Sequence, residues 1–449
     1  MQSFSIIIVL WKYRLSLSKW KFKKNVKIYV VAPPRILYDE ANVDVFYQVE
    51  SPIRDHDHCQ LLHKAKELCS MLCNTNRRIV VFEKCLQNYV AQIRRDMDVE
   101  GLTPEQLTHI NNSEYTSSKK AVSFVSLRRC SLSGTPQPDT WVEAVKNQIG
   151  GFPAVVRSVR HQCAHSIGFV RDESEFKNWF RRNSNVHRNE QYIVQEHVDN
   201  GHEFTAVCCA TAGLVGCISS VFSDQNVLEF IQQQQPYAME FLSANQTRDV
   251  FPGLESFTVQ VIRNLFVPNF KGVIFVKGFY KDHNDIFYFG VSLEPENDTC
   301  RQLLASHSSA FSWETVLLSS QLDSAECLED KKQWEEDLVG YHAIINFPSA
   351  EGVLIHQASI YRRNSRLRVC WRSAESSEMK DSDHVDDNVL QVLLWNSSRK
   401  KLLEDINDII EKTDITIDKN ILNERHGNCR RNITKLNGKE LIRSCTTAD

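Results

Sequence analysis

Three segments of this chain carry side chains that could act together on one ligand. In the first, Gly151-Phe152-Pro153-Ala154-Val155-Val156-Arg157 reads as a strand ending on a cation, and His165-Ser166-Ile167-Gly168-Phe169-Val170 follows as a second strand after a short loop. Small residues such as Ser166 and Gly168 leave backbone N–H groups unhindered, so a loop of this kind can close over phosphates. The second segment is Val194-Gln195-Glu196-His197-Val198-Asp199-Asn200-Gly201-His202-Glu203-Phe204. An apolar strand end there offers one N–H and one C=O to a purine edge, and Glu203 can accept from two vicinal hydroxyls. Both roles suit ATP. The third is a pair of apolar strands, Gly272 to Phe279 and Ile286 to Glu294, with Lys277 in the first and Gly290 and Ser292 in the second. A protonated lysine has three donors and no lone pair, so Lys277 can neutralise phosphate but cannot ligate a metal.

Other chemistries find no support. The chain has neither a G-x-S-x-G element nor a Walker loop, which removes the hydrolase and P-loop readings. His161, His165, His197 and His202 cluster near the first two segments, but their spacing matches no metal motif. The 14 cysteines are scattered without a Cys-x-x-Cys pair, so free thiols in a reducing compartment are expected, with Cys208-Cys209 in the core. A charge of -3, from 53 Lys and Arg against 56 Asp and Glu, gives no global field for nucleic acid or an anionic membrane. The run Ser5 to Trp11 is too short and lacks the basic flank of a signal peptide, and reads as a buried first strand. These features predict a cytoplasmic globular protein.

The elements that must position the three segments alternate between strand and helix. Phe4 to Leu10, Val26 to Val31 and Arg78 to Glu83 are β-branched, apolar runs; Cys59 to Leu72 and Cys85 to Met97 carry apolar residues at steps of three and four. That alternation predicts an open parallel sheet with crossover helices. Thr103-Pro104 has the cap and first-turn chemistry of a new helix. Asn111 to Lys120 and Ser131 to Pro138 read as connections. Short strands follow at Ala154 to Ser158, Tyr192 to Val198, Thr205 to Ala212 and Val273 to Val276. Tyr341 to Ile345, Gly352 to Ile360, Leu367 to Trp371 and Val389 to Trp395 come next, then an amphipathic helix over Ser397 to Ile410. The acidic stretch Glu375 to Asp387 reads as an exposed hairpin loop and the last 25 or so residues as a basic tail. No repeat of 20 to 50 residues is present.

In this order the segments resemble the ATP-grasp superfamily, carboxylate–amine ligase branch, and within it the carnosine synthase-like members. Gly151 to Arg157 and Ser166 to Gly168 are similar to the G-x-P-x-V-x-K strand and the S-x-G end of the phosphate loop, with Arg157 at the lysine and Arg160 to His165 where relatives have glycines. Val194 to Phe204 is similar to the E-E-[FYH]-[IV]-x-G-x-E-[FY] segment. The resemblance implies that Glu196, His197 and Val198 form the adenine segment and that Glu203 binds the ribose. Val80 to Glu83, Gly101 to Gln106 and Lys119-Lys120 look like the stretch leading into the grasp, and the likeness covers about residues 26 to 415.

Such ligases form an acyl phosphate that an amine attacks, with magnesium held by hard oxygen ligands. In the ungapped match the acid's position is Lys277, Glu and Asn are replaced by Gly290 and Ser292, and Glu294 stands at an arginine. A four-residue slip would offer Glu294, Glu296 and Asn297 as metal ligands instead, at the expense of Pro295 inside a strand. The resemblance therefore implies an N-terminal open parallel α/β domain at 1–118, a two-lobed ATP-grasp domain at 119–325, a C-terminal subdomain at 326–424 and a tail at 425–449. It leaves three functions: a nucleotide-binding pseudoenzyme that also offers a protein partner a surface, an active ligase for a small carboxylate and an amine, or a scaffold without nucleotide.

Overall fold

The computed structural model describes residues 4–15, 17, 25–34, 36, 43–50, 58–73, 75–113, 125–133, 137–158, 167–183, 191–211, 213–224, 227–306, 312–322, 340–357, 360, 364–382, 386–419 and 433–436. Ser166 and the loop Arg160 to His165 lie outside them, as do 114–124 and 323–339.

Strands β1 (Phe4–Val9), β2 (Val26–Ala32), β3 (Val45–Gln48) and β4 (Asn76–Val81) pair in parallel in the order β3-β2-β1-β4. The near-continuous apolar run of β1 is what a strand buried on both faces requires. Ile7 and Val9 pack on α1 (Cys59–Met71) and α2 (Lys84–Asp96), and Ile6 and Ile8 face the rest of the molecule. Past β1, the N–H groups of Trp11, Lys12 and Tyr13 all donate to the Glu83 carboxylate, at 2.5, 2.6 and 3.1 Å. Burial raises the pKa of Glu83, and those three donors pull it back. Helix α3 (Pro104–Ser113) starts where expected, with Thr103 and Gln106 forming a reciprocal cap. Strand β5 (Val125–Ser126) follows.

A second, antiparallel sheet holds β6 (Arg129–Ser133), β7 (Ala154–Ser158), β8 (Ile167–Val170) and β9 (Gln191–Glu196) in the order β6-β9-β7-β8. Helices α4 (Pro138–Ile149) and α5 (Glu173–Asn183) back it through Trp141, Phe176 and Phe180. Ser131 to Pro138 is thus not only a connection: Cys130 and Leu132 are buried while Ser131 and Ser133 are exposed, the period of a strand, and Pro138 opens a helix.

The largest sheet has nine strands. Strands β10 (His202–Thr211), β11 (Leu214–Ser223), β12 (Tyr237–Ser243), β13 (Gly272–Tyr280), β14 (Ile286–Ser292) and β15 (Tyr341–Pro348) belong to it. So do β17 (Arg366–Trp371) and β19 (Asn388–Asn396), giving the order β17-β19-β15-β12-β11-β10-β13-β14-β5. Every pairing in it is antiparallel except β14 with β5. Its strands carry two faces by period-2 alternation. Phe204, Ala206, Cys208 and Ile274 lie under α8 (Leu254–Leu265), which follows α7 (Ala244–Val250). Val207, Cys209, Val273 and Phe275 lie under α9 (Asp298–Ser306) and α10 (Trp313–Ser320), and through them against Ile6 and Ile8. Trp313, 2% exposed, is the centre of this seam; Tyr13 stacks on Phe82 at 5.4 Å, and Phe82 and Phe275 meet Trp313 edge-on at 5.5 and 5.7 Å.

The fourth sheet, β18-β16-β20-β21, joins β16 (Gly352–His356), β18 (Glu378–Met379), β20 (Ile415–Asp418) and β21 (Ile433–Leu436), with α11 (Arg399–Lys412) packed beside it. Two expectations change here. Glu375 to Asp387 is not a plain exposed loop: Met379 is buried in β18, and Asp381 and Asp386 accept backbone N–H groups from Glu351, Asp298 and Thr299. Ile433 to Leu436, within the expected tail, is a strand that pairs antiparallel with β20. Among the described residues no helix is long and apolar enough to cross a membrane.

Candidate functional site

Helix α6 (Val227–Gln233) and strands β10, β12, β13 and β14 build one concentrated polar cluster on the face of the large sheet that looks toward the second sheet. Thr205 pairs with Lys277 and Glu203 with Phe279, so Glu203 and Lys277 are diagonal neighbours on that face. Across β13, Lys277 pairs with Gly290 and Phe275 with Ser292. The ladder is irregular between Lys277 and Gly278, where an extra residue, Phe289, enters opposite Lys277.

Oxygen Oε2 of Glu203 accepts from the Tyr237 hydroxyl at 3.1 Å and from the Val227 N–H at 3.2 Å. Burial, aided by the Glu296 carboxylate, pushes Glu203 up to about 7, against the pull of both donors and of the Lys277 ammonium. Lys277 pairs with Glu296 at 3.2 Å. Glu294 and Asn297 point elsewhere: the Glu294 carboxylate accepts the Lys84 N–H at the start of α2 at 3.0 Å, and Asn297 caps α9 by accepting the Cys300 N–H at 2.7 Å. Ser292 donates to the Glu294 carbonyl at 2.8 Å. The acidic run after β14 therefore divides among three local tasks.

The second sheet meets this face through arginines and apolar side chains. The Arg157 guanidinium lies 4.9 Å from the Phe289 ring, and that of Arg129 lies 5.6 Å from it while donating to the Phe289 carbonyl. Val198, Leu127 and Phe279 form a small buried cluster, with Phe287 and Phe289 against it. The Glu196 carboxylate accepts from the Arg128 N–H and Nε at 2.6 and 2.7 Å. His197 stacks near Phe169, its ring 4.8 Å away, and its Nε2 is 3.3 Å from Asp199. Gly168 pairs with Val156, and a Cβ there would stand 2.2 Å from Nε1 of Trp179, so packing alone demands glycine at that position.

Set side by side, the parallel sheet, the small antiparallel sheet and the large antiparallel sheet correspond to known enzymes over almost their whole length. An L-amino acid ligase from Bacillus licheniformis superposes with a TM-score of 0.58 at 10% identity, over 91% of this chain and 97% of that one. The chain has the ATP-grasp fold. Phosphoribosylglycinamide synthetase from Anaerococcus prevotii matches at 0.54 and 13% identity, over 92% and 99% of the two chains. The N5-carboxyaminoimidazole synthase of Aspergillus clavatus, solved with ADP and 5-aminoimidazole ribonucleotide, matches at 0.54 and 9% identity, over 91% and 99%. No family model matches the sequence, and no curated protein does.

In this ATP-grasp fold, Arg157 and Gly168 lie on paired strands of the second sheet with His197 and Val198 just past its β9, Glu203 and Lys277 lie on the large sheet, and the Glu196 carboxylate braces the second sheet. Sequence reasoning missed Tyr237, Val227 and Phe289. Tyr237 and Val227 lie 34 and 24 positions from the Glu203 they hold, with no local signal to link them. The three positions that the likeness assigns to metal ligands offer magnesium no carboxylate. At the cross-strand positions Lys277, Gly290 and Ser292 the single oxygen-bearing side chain is a hydroxyl already donating to a carbonyl, beside a cation.

Proposed function

We propose that this protein binds a nucleotide between its second sheet and the face of its large sheet, without turning it over. The observation that carries this reading is the placement of the Lys277 ammonium on the Glu203 face, where it supplies positive charge and no metal ligand. Val198, Leu127 and Phe279 give an apolar wall for a base. Glu203 is the acceptor for ribose hydroxyls, Arg157 the cation of the second sheet, and Ser166 and Gly168 the ends of the phosphate loop. Magnesium takes no part in this binding.

The motif order favours the carnosine synthase-like branch, the division 1–118, 119–325, 326–424 and 425–449, and a cytoplasmic place without nucleic-acid or membrane partners. Calorimetric titration with ATP in EDTA tests the reading. Binding that persists without magnesium and falls about tenfold or more in Lys277→Met supports it, one charge-assisted contact being worth about 1.5–3 kcal/mol. ADP release dependent on a carboxylate and an amine overturns it in favour of an active ligase, the reading favoured by the likeness to an L-amino acid ligase. Absence of any nucleotide binding leaves the scaffold.

A further inference from the structure

The proposed anion site is filled by the protein itself. Lys277 is anchored in the middle of β13 with its side chain 12% exposed, while Glu296, its partner at 3.2 Å, is 51% exposed on the turn between β14 and α9. One member of the pair is thus fixed and the other can leave into water. That turn is not loosely held. Beyond Glu296, Asn297 caps α9, and Asp386, from the segment before β19, grips the first turn of the same helix. Its Oδ2 accepts the Asp298 N–H at 2.8 Å and its Oδ1 accepts the Thr299 N–H and hydroxyl at 2.9 and 2.8 Å. The Thr299 hydroxyl in turn accepts from Asn346, whose Oδ1 accepts from Gln391, whose Oε1 accepts from Arg372, at 2.9, 3.1 and 3.2 Å. Thr299, Asn346 and Gln391 are buried, so this chain ties the root of α9 to β15 and β19 at a depth where a broken link is costly.

We propose that Glu296 is an internal competitor for the anion site on Lys277: its carboxylate holds the ammonium until an incoming polyphosphate displaces it, and the Asp386 clamp on α9 sets how readily it leaves. This rests on the reading of Lys277 as the phosphate cation, but not on recognition of a nucleoside. A phosphate oxygen and a carboxylate compete for the same three N–H donors, so affinity for the anion is reduced by the strength of the internal pair.

The test uses the full-length protein, with inorganic tripolyphosphate and ATP as separate probes in EDTA. Glu296→Gln, a change at an exposed position, tightens tripolyphosphate binding about fivefold, the factor expected for an ion pair with one exposed partner. It also raises acylation of Lys277 by an amine-reactive ester, read by peptide mass spectrometry. Asp386→Asn shifts both readouts the same way, and Lys277→Met with Glu296→Gln abolishes the gain. Tripolyphosphate affinity and Lys277 labelling that both match wild type in Glu296→Gln overturn the proposal, even where ATP binds. A tripolyphosphate gain in a protein that does not bind ATP supports it and removes the nucleotide reading alone.

Discussion

Replacing Glu203 by glutamine should abolish a pH dependence of stability that the buried carboxylate imposes. The folded protein holds Glu203 at about 7, above the 4.5 of an unfolded chain, because burial and the nearby Glu296 oppose its ionisation. A carboxyl raised in this way contributes most to stability below pH 4.5, and the contribution is lost as pH climbs through 7. Integrated between pH 5 and pH 8, that loss is about 2–3 kcal/mol. Glutamine keeps an oxygen for the Tyr237 hydroxyl and the Val227 N–H but has no proton to release, so the variant matches wild type near pH 5 and exceeds it at pH 8. Urea unfolding of both proteins at the two pH values, followed by tryptophan fluorescence, isolates the effect, since titrating groups remote from Glu203 cancel in the difference. Equal losses of stability in the two proteins between pH 5 and pH 8 would refute the reasoning.

Two further substitutions probe the surroundings of the cleft. Gly168→Ala forces a methyl to within 2.2 Å of the Trp179 ring, which Phe180 and Tyr192 hold at 4.8 and 5.7 Å, so thermal unfolding should report a loss of about 1–3 kcal/mol. Arg399→Met strips the two-pronged partner, at 2.8 and 2.8 Å, from Glu240, itself 6% exposed, and should cost about 3–5 kcal/mol. Adding Glu240→Gln should recover most of that loss in the same melt, and no recovery would show that packing of the arginine stem, not its charge, is what matters.

Much of the architecture is written locally. The short β-branched runs at Phe4 and Val26 favour strands, the spacing from Cys59 is that of a helix, and the Thr103–Gln106 cap is legible from four residues. The nine-stranded sheet is not legible in this way. Leu214 to Ser223 mixes Ser and Gly with apolar residues because its neighbours on both sides supply the burial, and no residue in it announces an antiparallel partner. The candidate site divides along the same line. Lys277 and Gly290 lie on strands adjacent in sequence, whereas Tyr237 beside Glu203 and Asp386 beneath Thr299 arise from long-range packing. Gly168 is the instructive intermediate: its type was readable as a phosphate-loop glycine, and the structure adds the indole of Trp179, a steric reason independent of any ligand.

The indole of Trp313 has a practical consequence. It sits buried where the rings of Tyr13 and Phe82, beside the first parallel sheet, meet Phe275 of the large sheet. In a variant whose other seven tryptophans are replaced by phenylalanine, its emission is an optical gauge of that joint: a red shift signals water entering between the layers, while each sheet keeps its own hydrogen-bonded ladder. A loss of rigid attachment and a loss of fold would then register as two separate colours in one spectrum.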